Sequence, residues 1–497
     1  MSLSPPSSPV PSEKSEAPHS FLGHPPGLAT LFGLELWERF SYLGFQAILA
    51  LYFADAIAHG GLGYSQSTAS SVVAAYGALV YLLAIAGAWV ADRITGTYRA
   101  VLWGGVIIAA GHVFMGIPRE SATWIGLGLI ILGTGLLKPN VSTMVGQLYD
   151  KADRRRDAGF SIYYSGINIG AFLGPLVAGF LGQNYNWHYG FSVAAVGMFL
   201  GLTQYVLGRR RLAESSHTTP MKPRFHPGRH FYLVLTLVVL SILAGFIFGM
   251  QEKDGLAILV NIISAITAIV PIFFLGVIFF SEKVTSEERR NLGPYSLLLI
   301  ALVLYNLLYF QTGNTLNFLA LEHTRNSLAG FNYPSTWYIS LTAIIEIALG
   351  PVLAGIWVKL GSRQPHAAAK VGLGAALGGA GFLIIAAGAW FSGGDVLIPA
   401  LWMVACYVFL GVGDLVLQTS GMSATTKLAP RAFASQTMAL WFAAMALAQG
   451  IQAQIVKMFD AAQAPLFFGS QGAVVVSYGV LLMLLSPWLR RRMTAIS

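Results

Sequence analysis

At 497 residues, with 55% hydrophobic and 10% charged residues against roughly 25% charged in a soluble domain, the chain cannot hide its apolar surface in one water-soluble core and calls for a bilayer. Lysine and arginine number 30 against 21 acids, a net of +9; where those charges fall matters more than their sum, and nucleic-acid binding is a poor fit. The lone cysteine, Cys406, sits in an apolar run, which excludes a disulfide framework and any cysteine-based metal cluster; no metal or other cofactor is implied.

In chain order, Met1 to Ser20 is rich in serine and proline with no apolar core and reads as a disordered tail rather than a signal peptide. Apolar stretches long enough for about 20 residues of helix then recur near 28–57, 68–92, 99–117, 122–149, 158–181, 189–208, 231–250, 256–280, 294–321, 335–361, 369–391, 398–427, 432–458 and 470–489, fourteen in all. Their unbroken length predicts helices, not the short alternating strands of a membrane barrel. Arg154, Arg155 and Arg156, then Arg209, Arg210 and Arg211, Arg289 and Arg290, and Arg490, Arg491 and Arg492 all fall on one side. That side is expected to be cytoplasmic, and the even number of spans puts both termini there. The loops His59 to Ser67 and Gly182 to Tyr189 are almost free of lysine and arginine.

The expected organisation is a tail at 1–25, a six-helix bundle at 26–208, a linker at 209–230, an inserted helix pair at 231–280, a second linker at 281–293, a second six-helix bundle at 294–489 and a basic tail at 490–497. This all-α membrane pattern resembles the major facilitator superfamily, whose binding site lies at the midplane between the halves. The stretch from Gly87 to Arg99, with Asp92 and Arg93, is similar to that superfamily's inter-helix motif.

Charges inside a membrane cost about 2.5–3.5 kcal/mol each at a helix centre, so they face a partner or a wet path. In the first span, Glu35, Arg39, Tyr42 and Gln46 share a stripe about 60° wide at about 100° per residue, with Glu38 at its edge. Two acids with one arginine leave one negative charge in excess, a plausible proton site. In the fourth span Lys138 precedes Pro139 and Asn140; the proline is expected to free the Gly135 carbonyl beside the ammonium. Glu346 follows Thr342 by one turn, and Asp414 and Gln418 lie one turn apart after Gly411 and Gly413. Lys138, Glu346, Asp414, Asn168, Tyr81 and Trp441 all fall near the middles of their spans. A zwitterion would meet cations at Arg39 and Lys138 and an acid at Asp414. Trp441, Tyr81 and Phe310 suit core packing as well as pocket lining, and His112 reads as a satisfied core residue. No H-E-x-x-H, G-x-S-x-G or P-loop suggests an enzyme, and no repeated filter loop suggests a channel.

The run Glu-Leu-Trp-Glu-Arg-Phe-Ser-Tyr, Glu35 to Tyr42, resembles the E-x-x-E-R-F signature of the proton-dependent oligopeptide transporter family. Phe160 to Gly170, Leu137-Lys138-Pro139-Asn140 and Gly421 to Pro430 resemble further stretches of that family, in order, with the inserted pair typical of bacterial members. The resemblance implies a symporter importing di- and tripeptides with protons by alternating access, working as a monomer in the cell inner membrane. It places the peptide carboxylate at Arg39 and Lys138, the amino end at Asn168 and Asp414, proton coupling at Glu35 and Glu38, and the pocket wall at Tyr42, Tyr81, Phe310, Thr342 and Trp441. The chain departs from the family pattern at Leu43, Gln46, Tyr309-Phe310-Gln311, Thr342-Ala343 and Asp414. Gln46 and Phe310 replace two positions that carry opposite charges in many relatives, which leaves the gate uncharged and strands no buried charge. Glu346 is expected to take over part of the missing acid's role, since i,i+4 spacing puts it on the face of Thr342. The rival reading is a transporter of the same fold for nitrate, a modified peptide or another organic anion.

Overall fold

Within a bilayer each backbone amide and carbonyl must be satisfied by its own segment, so long apolar runs close as helices. The computed structural model describes residues 21–150, 153, 155–217, 255–328, 330–393 and 396–493. The first half comprises α1 (Gly27–Ala54), α2 (Gln66–Val90), α3 (Thr97–Met115), α4 (Glu120–Gln147), α5 (Arg156–Asn184) and α6 (Trp187–Leu207). Then come α7 (Gly255–Phe280), α8 (Ser286–Tyr309), the short α9 (Thr315–His323), α10 (Trp337–Leu360), α11 (Ala367–Ser392), α12 (Ala400–Leu428), α13 (Ala434–Ile455) and α14 (Ala464–Arg492). Among the described residues twelve helices are long and apolar enough to cross a membrane. The 28-residue α1 has the length but carries Glu35, Glu38 and Arg39. With it, every expected span is present except the one near 231–250. That span lies outside the described residues, as do residues 1–20 of the expected tail, 218–230 of the first linker, Arg154 and 494–497.

Local chemistry sets the helix ends. Ser65 Oγ accepts from the Thr68 amide at 3.2 Å to start α2, and Asn186 Oδ1 accepts from His188 at 2.8 Å to start α6; each meets an amide that the helix itself leaves unpaired. Thr285 and Glu288 form a capping box, so α8 begins inside the stretch expected as a linker. The span expected at 294–321 is not one helix: α8 stops at Tyr309, a tight 3-10 turn runs Phe310–Gly313, and α9 resumes at Thr315.

Small residues let the helices approach closely, the usual device where lipid offers no hydrophobic drive between them. A side chain on Gly379 would meet the Gly472 carbonyl at 2.8 Å, and one on Gly472 the Gly379 carbonyl at 2.8 Å, which locks α11 to α14. Gly87 of α2 packs directly on the Gly135 carbonyl of α4. The carbonyl that Pro139 was expected to free beside Lys138 is therefore turned toward α2, because the glycine opposite leaves room for it there.

The two halves meet through hydrogen bonds in the arginine-poor half of the molecule. Asn317 Nδ2 donates to the Ala47 carbonyl at 2.7 Å, and Ser335 Oγ donates to Asn317 Oδ1 at 2.9 Å while accepting from Gln183 at 2.9 Å. Ser340 Oγ donates to Phe172 O at 2.8 Å, and Gln66 reaches both oxygens of Glu322 at 2.7 and 2.8 Å. Helix α7 lies against both halves: Ser264 accepts from Gln454 of α13 at 2.8 Å, while Val260 and Ile263 join the core of the first half.

Candidate functional site

Helix α1 carries the first cluster. Arg39 Nε stands 2.9 Å from Glu35 Oε1 and 2.9 Å from Glu38 Oε2, so one N–H group faces two acids. Glu35 is also held by Tyr163 of α5, whose hydroxyl donates to Oε2 at 2.8 Å. The approach of α5 is set by Gly170, which packs on the Leu36 carbonyl and lies 2.8 Å, measured from where a side chain would begin, from Arg39 Cβ. Glu35, Glu38 and Arg39 are 2%, 0% and 8% exposed. The two acids are not equivalent: neither oxygen of Glu38 has a hydrogen-bond partner, and its contact with Arg39 is ionic only.

Lys138 of α4 points toward the same region. Its ammonium sits 4.5 Å from the Tyr81 ring centre and 5.5 Å from that of Tyr42. Aromatic faces attract a cation without neutralising it, and among the described residues no carboxylate lies within 4.0 Å of this ammonium. Arg39 is 5.8 Å from the same Tyr42 ring. Asn140 donates to the Leu136 carbonyl at 2.7 Å and is 3.4 Å from the Gly87 carbonyl, bracing the helix around the proline.

The second cluster belongs to the other half. Gly411 of α12 packs on Thr342 and Ile345 of α10, at 3.2 and 3.3 Å from where its side chain would begin. One turn further along both helices, the side chains of Asp414 and Glu346 are neighbours, with Tyr305 and Tyr309 beside them. Gln418 Nε2 donates to Asp414 Oδ1 at 3.2 Å. Thr342 is buried, and its hydroxyl donates to Ile339 O at 2.9 Å.

The two clusters are joined by aromatic rings. The break in α8 turns Phe310 toward the first half, where its ring centre is 5.6 Å from that of Tyr81; Tyr309 stacks edge-on to Phe310 at 6.2 Å. The path from Lys138 to the Asp414–Glu346 pair thus runs over Tyr81, Phe310 and Tyr309. The backbone of Gln46 lies against Gly313 of the same turn, 3.6 Å from where a side chain would begin. Uncharged Gln46 and Phe310 therefore occupy neighbouring parts of this contact.

Asn168 stands half-buried on α5 two residues before Gly170, on the helix that supports the α1 cluster. Trp441 is brought elsewhere: it is 2% exposed and packs over Gly421 in the core of the second half. His112 is satisfied on one side only, for Nε2 is 3.2 Å from Ser41 Oγ while the buried Nδ1 has no partner. The sequence reading gave no role to Tyr163, Tyr305 or Tyr76. Tyr163 could have been picked out, since it lies in the conspicuous Ser-Ile-Tyr-Tyr-Ser run.

Long membrane-spanning helices in two sets, with the charged clusters of α1 and α4 on one side and of α10 and α12 on the other, fit a secondary transporter of the major facilitator type. The profile of the POT family matches residues 98–473. A di-/tripeptide transporter of Lactococcus lactis subsp. cremoris is 40% identical over 476 residues, covering 94% of this chain and 96% of its own. An uncharacterized transporter of Bacillus subtilis strain 168, YclF, is 40% identical over 489 residues, 97% and 98% of the two chains. The crystal structure of a peptide transporter POT in complex with sulfate has a TM-score of 0.89 at 40% identity, over 96% of this chain and 97% of that one. A POT family transporter in complex with 5-aminolevulinic acid has a TM-score of 0.88 at 33% identity, over 95% and 98%. The chain belongs to the POT family and is a multi-pass membrane protein.

Proposed function

We propose that this protein imports di- and tripeptides together with protons by alternating access, in the cell inner membrane and with both termini in the cytoplasm. The observation that carries the reading is the pair of opposed poles: Arg39 and Lys138 in one half, Asp414 and Glu346 in the other, separated by the Tyr81–Phe310 contact of 5.6 Å. A peptide is a zwitterion of that sense. Its carboxylate goes to Lys138 and Arg39, its ammonium to Asp414 with Asn168, and Tyr42, Tyr81, Phe310 and Thr342 line the space between. Trp441 contributes to the wall only if the second half repacks during the cycle. Relatives described as di-/tripeptide transporters support the same substrate class.

Coupling follows from charge balance. While Glu35 and Glu38 are both ionised they hold Arg39, whose Nε lies 2.9 Å from each. A proton on Glu38 loosens that hold and leaves Arg39 and Lys138 to a carboxylate ligand, so proton and peptide favour the same state. In the second half, two adjacent buried carboxyl groups share a proton more readily than they carry two charges. The pair that keeps one shared proton still presents one negative charge to the peptide ammonium, so proton and peptide can be bound together, which gives Glu346 the coupling role that Phe310 cannot supply. The contacts of Asn317, Ser335, Gln66 and Ser340 join the two halves on the arginine-poor side, which must part for the site to open there. The six-helix halves at 26–208 and 294–489 are the moving bodies, one chain being the working unit.

Uptake of labelled dialanine into proteoliposomes tests this. Accumulation above the external concentration is expected under an imposed proton gradient, and collapse of the gradient should end it. Uptake that ignores the gradient, or that nitrate competes away while unlabelled dipeptides do not, contradicts the reading.

A further inference from the structure

Glu38 poses a problem of access. It is 0% exposed and held against Arg39, so a proton has no direct path to it from solvent. Its two oxygens are buried without a hydrogen-bond partner. On separate helices of the same half, other buried polar atoms are in the same condition: the Tyr76 hydroxyl on α2, His112 Nδ1 on α3 and Thr134 Oγ1 on α4, one turn before Lys138. These residues are 3%, 0% and 1% exposed.

Tyr76 and His112 are drawn together by one ring of α1. The Phe45 ring packs edge-on against both Tyr76, at 5.9 Å between centres, and His112, at 5.3 Å. Ser41, one turn from Phe45, donates to the Glu38 carbonyl at 3.3 Å and lies 3.2 Å from His112 Nε2. Tyr76 lies within electrostatic reach of Glu38 and Tyr42. The imidazole needs a second partner whichever tautomer it adopts. With Ser41 donating to the carbonyl, Nε2–H donates to Ser41 and Nδ1 is a bare acceptor; with the hydroxyl turned to Nε2, Nδ1 carries the hydrogen. Buried polar atoms are rarely left unmet, and where several converge ordered water is what meets them.

We propose that a buried water site inside the first half, held by Glu38 and Tyr76 and joined to His112 through Ser41, carries the transported proton to and from Glu38 by a route separate from the peptide cavity. The inference rests on the proton-coupled reading above. The water hands a proton to a Glu38 oxygen and is reprotonated from the next water in line, so the net step is the movement of one proton. The charged or titratable groups within reach of Glu38 are Glu35, Arg39 and Tyr42 on α1, Tyr76 and Tyr81 on α2, Lys138 on α4 and, through Glu35, Tyr163 on α5; His112 on α3 connects to it through Ser41. Tyr76 and His112 act here as positioning residues for the water.

Tyr76→Phe removes one oxygen and nothing else, and His112→Phe removes both ring nitrogens. Each variant is reconstituted and read in two assays, dialanine accumulation under an imposed proton gradient and gradient-free counterflow of dialanine against dialanine. Accumulation rate is expected to fall about tenfold or more, the scale of a lost proton-transfer partner, with counterflow within about twofold of wild type and a displaced pH profile of uptake. Unchanged accumulation in Tyr76→Phe, or equal loss in both assays, overturns the proposal. If His112→Phe fails to assemble, Tyr76→Phe decides alone. Absence of counterflow in the wild type would sink the peptide reading itself, whereas wild-type counterflow with normal accumulation by Tyr76→Phe sinks only the water route.

Discussion

Glu35 and Glu38 look interchangeable in sequence, yet the structure makes opposite demands on them, and conservative amides separate the two. Glu35 accepts from Arg39 at 2.9 Å and from Tyr163 at 2.8 Å. A hydrogen bond to a charged group contributes about 1.5–3 kcal/mol and a neutral one about 0.5–1.5, so Glu35→Gln forfeits roughly 1 kcal/mol per bond and about 2–3 kcal/mol in all. Glu38→Gln deletes a carboxylate with no hydrogen bond. Its loss of the ionic contact is offset by relief of the excess buried negative charge, for a net change of about 0–1 kcal/mol. At about 1 °C per kcal/mol for a chain of this length, Glu35→Gln should melt roughly 2–3 °C lower and Glu38→Gln within about 1 °C of wild type. The sole cysteine, Cys406, is 0% exposed, so a thiol-reactive fluorophore reads unfolding in detergent without engineering. Dialanine uptake on the same preparations should show Glu38→Gln stable but uncoupled. A Glu38→Gln protein that melts below Glu35→Gln refutes the assignment of structural weight to one acid and proton traffic to the other.

Lys138→Ala should abolish gradient-driven accumulation and weaken dialanine binding by about 30-fold or more, the effect of removing one partner of a buried charge pair worth about 2–5 kcal/mol; full accumulation rejects the assignment. Glu346→Gln should reduce proton-driven uptake and flatten its dependence on external pH, and wild-type uptake with wild-type pH dependence would remove Glu346 from the mechanism. Gly87→Ala forces a methyl against the Gly135 carbonyl, which is backbone and cannot yield; destabilisation of about 1–3 kcal/mol is expected, and an unchanged melting temperature contradicts the packing described.

The helices were legible in the sequence because a bilayer demands long apolar runs and leaves the backbone no alternative. The charged stripe of α1 was legible for the same reason: Glu35, Glu38 and Arg39 interrupt such a run at helical spacing. What could not be read is where tertiary approach decides the geometry. The break at Phe310–Gly313 has no proline to announce it, and it is this break that turns Phe310 onto Tyr81. The neighbourhood of Glu346 and Asp414 depends on Gly411 seating α12 against Thr342, a contact between residues far apart in the chain. Periodicity placed Trp441 near the middle of its span but not on which side of the helix the core would claim it. Pro139 was read for the carbonyl it releases, without the glycine on α2 that receives it. His112 reads in sequence as a satisfied core residue, whereas the packing of α1 against α3 leaves one ring nitrogen met by Ser41 and the other bare.

The most direct measurement is a structure of the protein with bound dialanine at a resolution that orients the peptide. The account predicts a carboxylate between Arg39 and Lys138, an ammonium at Asp414 and Glu346, and the peptide lying along Tyr81 and Phe310. A dipeptide bound in the reverse sense, or seated away from either pole, contradicts it.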